Sequence, residues 1–304
     1  MSPNDPNDHK KIWLITGCSS GFGFSLALHV LKSSHLVIAT SRNPSKTPDL
    51  VSQIEELGGK WMQLDVTCGE EEMKAFVERA ENVYEEGRGI DVVVNNAGIA
   101  YLGAFECFSA AETHTQMATN FFGPLSLLRH LIPHFRSRRS GTIVNMSSTA
   151  GIEARPSRSL YAASKFALEA VSEALYDELK PLGIKVLLVE PGAFRTKFVD
   201  NVVLPEKAMP ADYEGSEMHQ VLNGVMAMSS NGGMGTFEGK LGDVGKGVKA
   251  IFDAVEGTGW AEGMQPFLRL PLGRDNAERW EGKLRSLREN LDGTEAIWSK
   301  TGED

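Results

Sequence analysis

Six short, nearly all-apolar runs alternate with helix-length segments between residues 12 and 190: IWLIT (12–16), HLVIAT (35–40), WMQLDV (61–66), IDVVVN (90–95), TIVNMS (142–147) and IKVLLVE (184–190). A strand covered on one face alternates apolar with polar residues, so unbroken apolar runs require cover on both faces. The intervening segments, roughly 22–32, 69–86, 110–137 and 159–181, supply that cover as helices, several with polar caps ahead and Gly or Pro behind. The pattern predicts an α/β fold built on a doubly wound parallel sheet.

Past Pro191 the regularity fails. Residues 201–241 carry five methionines (209, 218, 226, 228 and 234) and six glycines, a mixture of adaptable apolar contact and flexible backbone. Such a stretch is either a cover over a substrate or a variable surface loop packed on the core. The first reading makes 196–241 a substrate lid and 242–304 a C-terminal helical extension. In that extension Asp243 caps a helix with Val244, Val248, Ile251, Phe252 and Val255 on one face, Gly257 ends it, Phe267–Leu270 form a last strand, and a charged helix starts near Asp275. Nothing reads as an interdomain linker, so 11–304 are expected to form one domain behind a polar, disordered N-terminus at 1–10.

A formal net charge of −9 repels nucleic acid and anionic membranes, and no apolar run approaches a membrane span. The first eleven residues lack the apolar stretch of a secretory leader. Cys18, Cys68 and Cys107 form no CxxC pair, which suits a reducing compartment and offers no zinc spacing. These features predict a cytoplasmic protein with free thiols and no metal.

The first strand ends in Thr16-Gly17-Cys18-Ser19-Ser20-Gly21-Phe22-Gly23, a TGxxxGxG turn that opens directly into a helix. Its glycines allow a tight turn and close approach of a pyrophosphate, while the helix N-terminus offers free N–H groups and positive partial charge. The same letters also fit a GxSxG nucleophile elbow with Ser19 as a hydrolase nucleophile. The elbow needs earlier strands that supply an oxyanion loop, and this turn follows the first strand. The second strand ends in Ser41-Arg42, where a carboxylate would hydrogen-bond the ribose of NAD and repel a 2′-phosphate. A serine followed by a guanidinium favours NADP(H).

Tyr161 and Lys165 stand four apart at the start of a helix, on one face. An ammonium beside a phenol stabilises phenolate and is expected to lower its pKa toward working pH, producing a proton donor for a carbonyl or an acceptor in reverse. Ser148 leaves the C-terminal end of a strand, the edge where ligands sit in a doubly wound sheet, and can donate to a substrate oxygen. His130 and His134 share a helix face but lack a third ligand, and read as ordinary helix residues. Arg136, Arg138 and Arg139 read as a solvated helix end that complements the dipole.

With TGxxxGxG, Asn95-Asn96-Ala97-Gly98, a serine thirteen residues before Tyr161, YxxxK and Pro191-Gly192 in this order, residues 11–200 resemble the short-chain dehydrogenase/reductase family. The resemblance implies a Rossmann fold, with Tyr161 as catalytic acid/base, Lys165 as its pKa partner and nicotinamide-ribose ligand, Ser148 as substrate orienter and Asn120 as proton relay. It implies a cofactor site of Gly17, Ser19, Ser20, Gly21, Phe22, Gly23, Ser41, Arg42, Val66, Ala97, Gly98, Tyr161, Lys165, Pro191 and Gly192. Within that site Asp65 and Asn95 are placed around the adenine and its ribose, and Thr196 on the carboxamide. In style the chain is similar to fungal and bacterial members near the retinol and 17β-hydroxysteroid dehydrogenases, and many of the fungal ones serve secondary metabolism.

The expected function is an NADPH-dependent carbonyl reductase or alcohol dehydrogenase acting on a hydrophobic ketone or secondary alcohol, secondary-metabolite or steroid-like. The resemblance also implies a homodimer or homotetramer paired through the helices at 110–137 and 159–181, unless the extended C-terminal region blocks one of those interfaces. The alternatives are a catalytically silent dinucleotide-binding module and the Ser19 hydrolase.

Overall fold

A computed structural model describes residues 10–84, 89–196, 198, 201–230 and 241–302. The chain runs β1 (Ile12–Ile15), α1 (Gly21–Lys32), β2 (Leu36–Ser41), α2 (Pro48–Glu56), β3 (Lys60–Gln63), α3 (Glu70–Glu81), β4 (Val92–Asn95), β5 (Ala100–Tyr101), α4 (Ala110–Met117), α5 (Gly123–Arg138) and β6 (Gly141–Met146). It continues with α6 (Ser159–Leu179), β7 (Ile184–Pro191), β8 (Val202–Val203), α7 (Glu217–Ser230), α8 (Val244–Glu256), β9 (Arg269–Leu272), α9 (Arg274–Gly293) and α10 (Glu295–Trp298).

Seven strands pair side by side in the order β3-β2-β1-β4-β6-β7-β9, every pair parallel. Because successive side chains on a strand point to opposite faces, β1 feeds two cores at once. Trp13 and Ile15 pack with Leu26 and Val30 of α1 and Val248, Ile251 and Val255 of α8. Ile12 and Leu14 pack with Phe76 of α3, Leu127 and Leu131 of α5, and Leu179 of α6. This two-sided burial is the physical reason for the unbroken apolar runs. Chain order reverses between β1 and β4, and at such a switch point the loops leaving the C-terminal strand ends diverge and open a crevice.

Three elements depart from the expectations. Residues 48–56 form α2, with Pro48 in its first turn where the missing N–H costs nothing. The segment 110–137 is interrupted by a π-helical turn, Ala118–Phe122, that holds Asn120. Residues 217–230 of the methionine-bearing stretch form α7, while β8 pairs with β5 beside the crevice. In the extension, the Asp243 carboxylate accepts from the Lys246 N–H at 2.8 Å, and Gly257 closes α8. The last strand, β9, lies two residues later than expected and extends the sheet beyond β7.

Residues 1–9, Lys197, Val199, Asp200 and, within the expected lid, residues 231–240 with Met234 lie outside the described residues. The cluster at the end of α5 is more than a solvated helix end. Arg138 bonds Glu81 (3.3 Å) and the Ile90 carbonyl, and Arg139 donates to the Pro181 carbonyl at 2.7 Å. His130 lies 3.0 Å from Glu70 and His134 3.9 Å from Glu81, pairing α5 with α3.

Candidate active site

The crevice is built from the ends of β1, β2, β4, β6 and β7. Gly17 and Gly21 have φ of +71° and +57°, a backbone region that an L side chain enters at a cost of about 1–2 kcal/mol. A Cβ on Gly17 would stand 2.7 Å from the Ala97 Cα, so the turn and the loop after β4 approach each other only because no side chain intervenes. Thr16 and Asn96 clamp this contact. The Thr16 hydroxyl accepts from the backbone N–H groups of Asn96 and Ala97, both at 3.0 Å, and the Asn96 amide donates to the carbonyls of Thr16 (2.8 Å) and Gly17 (3.0 Å).

Around this turn lies a cavity of about 220 Å³ lined by Gly17, Ser19, Ser20, Gly21, Phe22, Ser41, Arg42, Asp65, Val66, Ala97, Gly98 and Thr196. Leu64, Asn96, Ile99, Thr119, Phe198 and Asn201 line it as well and were not anticipated. Arg42 is exposed at the rim and has no side-chain partner among the described residues, while the Ser41 hydroxyl accepts from the Trp61 indole at 3.1 Å. Two expected ligands fall elsewhere. Asn95, expected near the adenosine, is buried in the sheet, where its amide donates to Asn145 at 2.7 Å and Asn145 donates to Ser172 at 2.8 Å. Gly23 lies beneath the turn, where a Cβ would strike the Asn96 amide and the Gly17 carbonyl.

A second cavity of similar volume adjoins the first, sharing Phe22, Thr196 and Phe198. Ser148, Tyr161, Pro191 and Gly192 line it, and Tyr161 is buried against Ala100, Leu102 and Ala150, with Val202, Leu222 and Val225 around them. The Ser148 hydroxyl accepts from the Ala150 N–H at 3.2 Å and lines the same cavity as the Tyr161 phenol. Lys165 is buried and donates to the Met146 carbonyl at 2.7 Å. Asn120 accepts from the Ile99 N–H (2.9 Å) and donates to the Ile99 carbonyl and the Ser164 hydroxyl, both at 3.0 Å. A Cβ on Gly98 would lie 3.4 Å from the Asn120 carboxamide oxygen and 3.8 Å from the Lys165 ammonium, so both groups flank one small gap.

The electrostatics correct one expectation. Burial raises the Tyr161 pKa, against the lowering influence of the Ser148 hydrogen bond and the Arg158 charge, and Lys165 is not among the groups that lower it. The Lys165 ammonium lies 5.9 Å from the phenol ring centre and is committed to the Met146 carbonyl. Its own pKa is pushed down to about 8 by burial, opposed by the charge of Glu169 one turn on. The phenol is thus held in its protonated form.

Behind the site lies a buried acidic pair that the sequence did not reveal. Arg269 of β9 bridges Glu169 (3.2 Å), Glu173 (2.9 Å) and Glu190 (3.5 Å), and the Trp280 indole of α9 donates to Glu190 at 2.6 Å. Burial, then repulsion from Glu169, pushes the Glu190 pKa up to about 7, against Trp280 and Arg269. Asp275, at the start of α9, accepts from the Ala193 N–H at 2.8 Å and fixes the turn after Pro191-Gly192. Cys18, inside the glycine turn, is buried and its thiol pKa is pushed up to about 12, which makes it unreactive. Ser19 is exposed, and among the described residues no base bonds its hydroxyl.

The sequence matches the short chain dehydrogenase family model over residues 11–207. It is 42% identical over 219 residues to Oxidoreductase claN of Passalora fulva, a match covering 72% of this chain and 97% of that protein. It is 41% identical over 191 residues to a 3-ketodihydrosphingosine reductase of Bacteroides thetaiotaomicron, covering 63% of this chain and 66% of that one. Among solved structures, a short-chain dehydrogenase from Streptomyces avermitilis superposes with a TM-score of 0.82 at 33% identity, covering 97% of this chain and 99% of that one. The chain belongs to the short-chain dehydrogenase/reductase family of oxidoreductases. Among the described residues no helix is long and apolar enough to cross a membrane.

Proposed function

We propose that the protein is an NADPH-dependent carbonyl reductase or alcohol dehydrogenase, and that Ser148, Tyr161, Lys165 and Asn120 are its working residues. The observation that carries this reading is the junction of the two cavities: a cradle of backbone and small residues meets, at Phe22, Thr196 and Phe198, a pocket lined by the buried Tyr161 phenol and Ser148. The cradle suits a dinucleotide, because Gly17 and Gly21 allow its tight turn and the N-terminus of α1, with its unsatisfied N–H groups, borders it. The unpartnered Arg42 beside Ser41 supports NADPH over NADH.

A nicotinamide held beside Thr196 and Phe198, with its dinucleotide over Gly17 and Gly21, would supply a hydride for a carbonyl carbon. Tyr161 gives its hydroxyl proton to the carbonyl oxygen, and Ser148 donates to the same oxygen and holds it in line. Lys165 carries positive charge toward the ribose side of the gap at Gly98, and Asn120 shares that gap as the route by which the proton is replaced. The protein's contribution is placement and charge stabilisation. The hydrophobic residues around Tyr161, including Val202 and Val225 from the 196–241 segment, support a lid over an apolar substrate body. The cytoplasm, a single domain over 11–304 and a homodimer or homotetramer belong to the same proposal.

The test is carbonyl-dependent consumption of NADPH by the purified protein across a panel of ketones. Turnover with NADPH and little with NADH is the expected result. Tight NADPH binding without turnover on any carbonyl would favour a silent binding module.

A further inference from the structure

The pocket beside Tyr161 is unusually cationic for one expected to hold an apolar ketone. Arg155, Arg158 and Arg279 line it together with Glu153 and Asp275. Three of these charges are already engaged: Arg279 pairs with Glu153 at 2.5 Å, and Asp275 accepts from the Ala193 N–H. Arg155 and Arg158 have no side-chain partner among the described residues, and the Arg158 Nε is buried without a hydrogen bond. A buried guanidinium nitrogen left unpaired costs free energy that a bound anion would recover.

Arg158 stands at the N-cap position of α6, three residues before Tyr161, and both side chains line this one cavity. Burial, followed by the like charges of Arg155 and Arg279, pushes the Arg158 pKa down, whereas Glu153 raises it. Three arginines against two carboxylates leave one positive charge uncompensated. A single negative charge balances it, whereas a dianion would also face Glu153 and Asp275. The fork of a guanidinium matches the two oxygens of a carboxylate.

We infer that the substrate is an oxo acid or the matching hydroxy acid, its carboxylate held by Arg158 and Arg155 while its carbonyl oxygen meets Tyr161 and Ser148. The inference rests on the reading of Tyr161 as proton donor. Because Arg158 immediately precedes α6 and Tyr161 stands in its first turn, the carboxylate lies a few bonds from the reacting carbon. The aliphatic remainder packs against Leu102, Val202 and Val225.

The test uses the full chain with NADPH and matched pairs of short aliphatic oxo acids and their methyl esters. A parallel thermal-shift series uses an unreactive aliphatic carboxylate and its amide. The expected kcat/KM for the acid exceeds that for the ester by about 100-fold, mainly through KM. Arg158→Leu collapses this ratio toward one, Arg158→Lys restores part of it, and the carboxylate-specific thermal shift disappears in Arg158→Leu. Equal rates on acid and ester in the wild type, or an unchanged ratio in a folded Arg158→Leu, would overturn the carboxylate site. Failure to oxidise NADPH with every carbonyl, while the Arg158-dependent shift persists, would overturn the reductase reading and leave the carboxylate site standing. Loss of both signals would overturn both.

Discussion

The two cavities that meet at Phe22, Thr196 and Phe198 are made in different ways. The one at the end of β1 is made by backbone: Gly17 and Gly21 turn through positive φ, and the loop after β4 closes on them through Thr16 and Asn96. The one around Tyr161 is made by side chains from β6, α6, the 196–241 segment and α9, brought together only by the complete fold. A backbone cradle tolerates exchange of almost any exposed side chain but no added Cβ. A side-chain pocket has the opposite sensitivity, and its electrostatics depend on elements far away in sequence.

Substitutions can separate the two halves. The largest effect is expected on the side-chain half, where Tyr161→Phe should lower kcat about 10³-fold while leaving the cofactor Kd nearly unchanged. Steady-state kinetics beside a nucleotide titration would show whether chemistry and binding part in this way. On the backbone half, Gly17→Ala meets both an unfavourable φ of +71° and the Ala97 Cα at 2.7 Å. A loss of about 3 kcal/mol is expected in denaturant unfolding, together with weakened nucleotide binding. A neutral result would mean that the turn is not held as rigidly as its contacts require.

Smaller effects follow from the buried charges behind the side-chain half. Glu190 has a pKa raised to about 7, so its folded form retains a proton that the unfolded chain releases. Its contribution therefore favours folding below the ordinary carboxylate pKa and is lost as pH rises from about 4 to about 7. Glu190→Gln should remove that loss and be more stable than the wild type at pH 8 than at pH 5, by on the order of 2 kcal/mol. Unfolding curves of both proteins at the two pH values would check the sign. Lys165 has the opposite displacement, lowered to about 8, so its ammonium is lost as pH rises through that value. The kcat/KM for reduction should fall about tenfold per pH unit above 8, and Glu169→Gln should move the break downward. A profile that stays flat to higher pH would mean that the Lys165 charge is not needed.

The same contrast explains what could be read from the sequence. The glycine turn, the Tyr161–Lys165 spacing and Ser148 were legible because local backbone geometry places them, whatever the rest of the chain does. Arg158 stands only three residues from Tyr161, yet an arginine at a helix start looks like a solvated charge until its buried, unpaired Nε is seen. Arg279 and Glu153 meet across 126 positions of sequence, and Glu190 reads as the end of a strand until Arg269 and Trp280 arrive from β9 and α9. Asn95 shows the limit in the other direction. Strand alternation turns it into the sheet toward Asn145, while its neighbour Asn96 faces the glycine turn, and the pair of letters alone does not say which is which.

A titration of the purified protein with NADPH and with NADH, followed by cofactor fluorescence, with Arg42→Asp measured alongside, is the most direct test of the central reading. Tight NADPH binding, weaker NADH binding and a loss of about 10- to 100-fold for NADPH in Arg42→Asp are expected from a guanidinium–phosphate contact. Equal affinity for both nucleotides, or an Arg42→Asp protein that binds NADPH as tightly as the wild type, would contradict it.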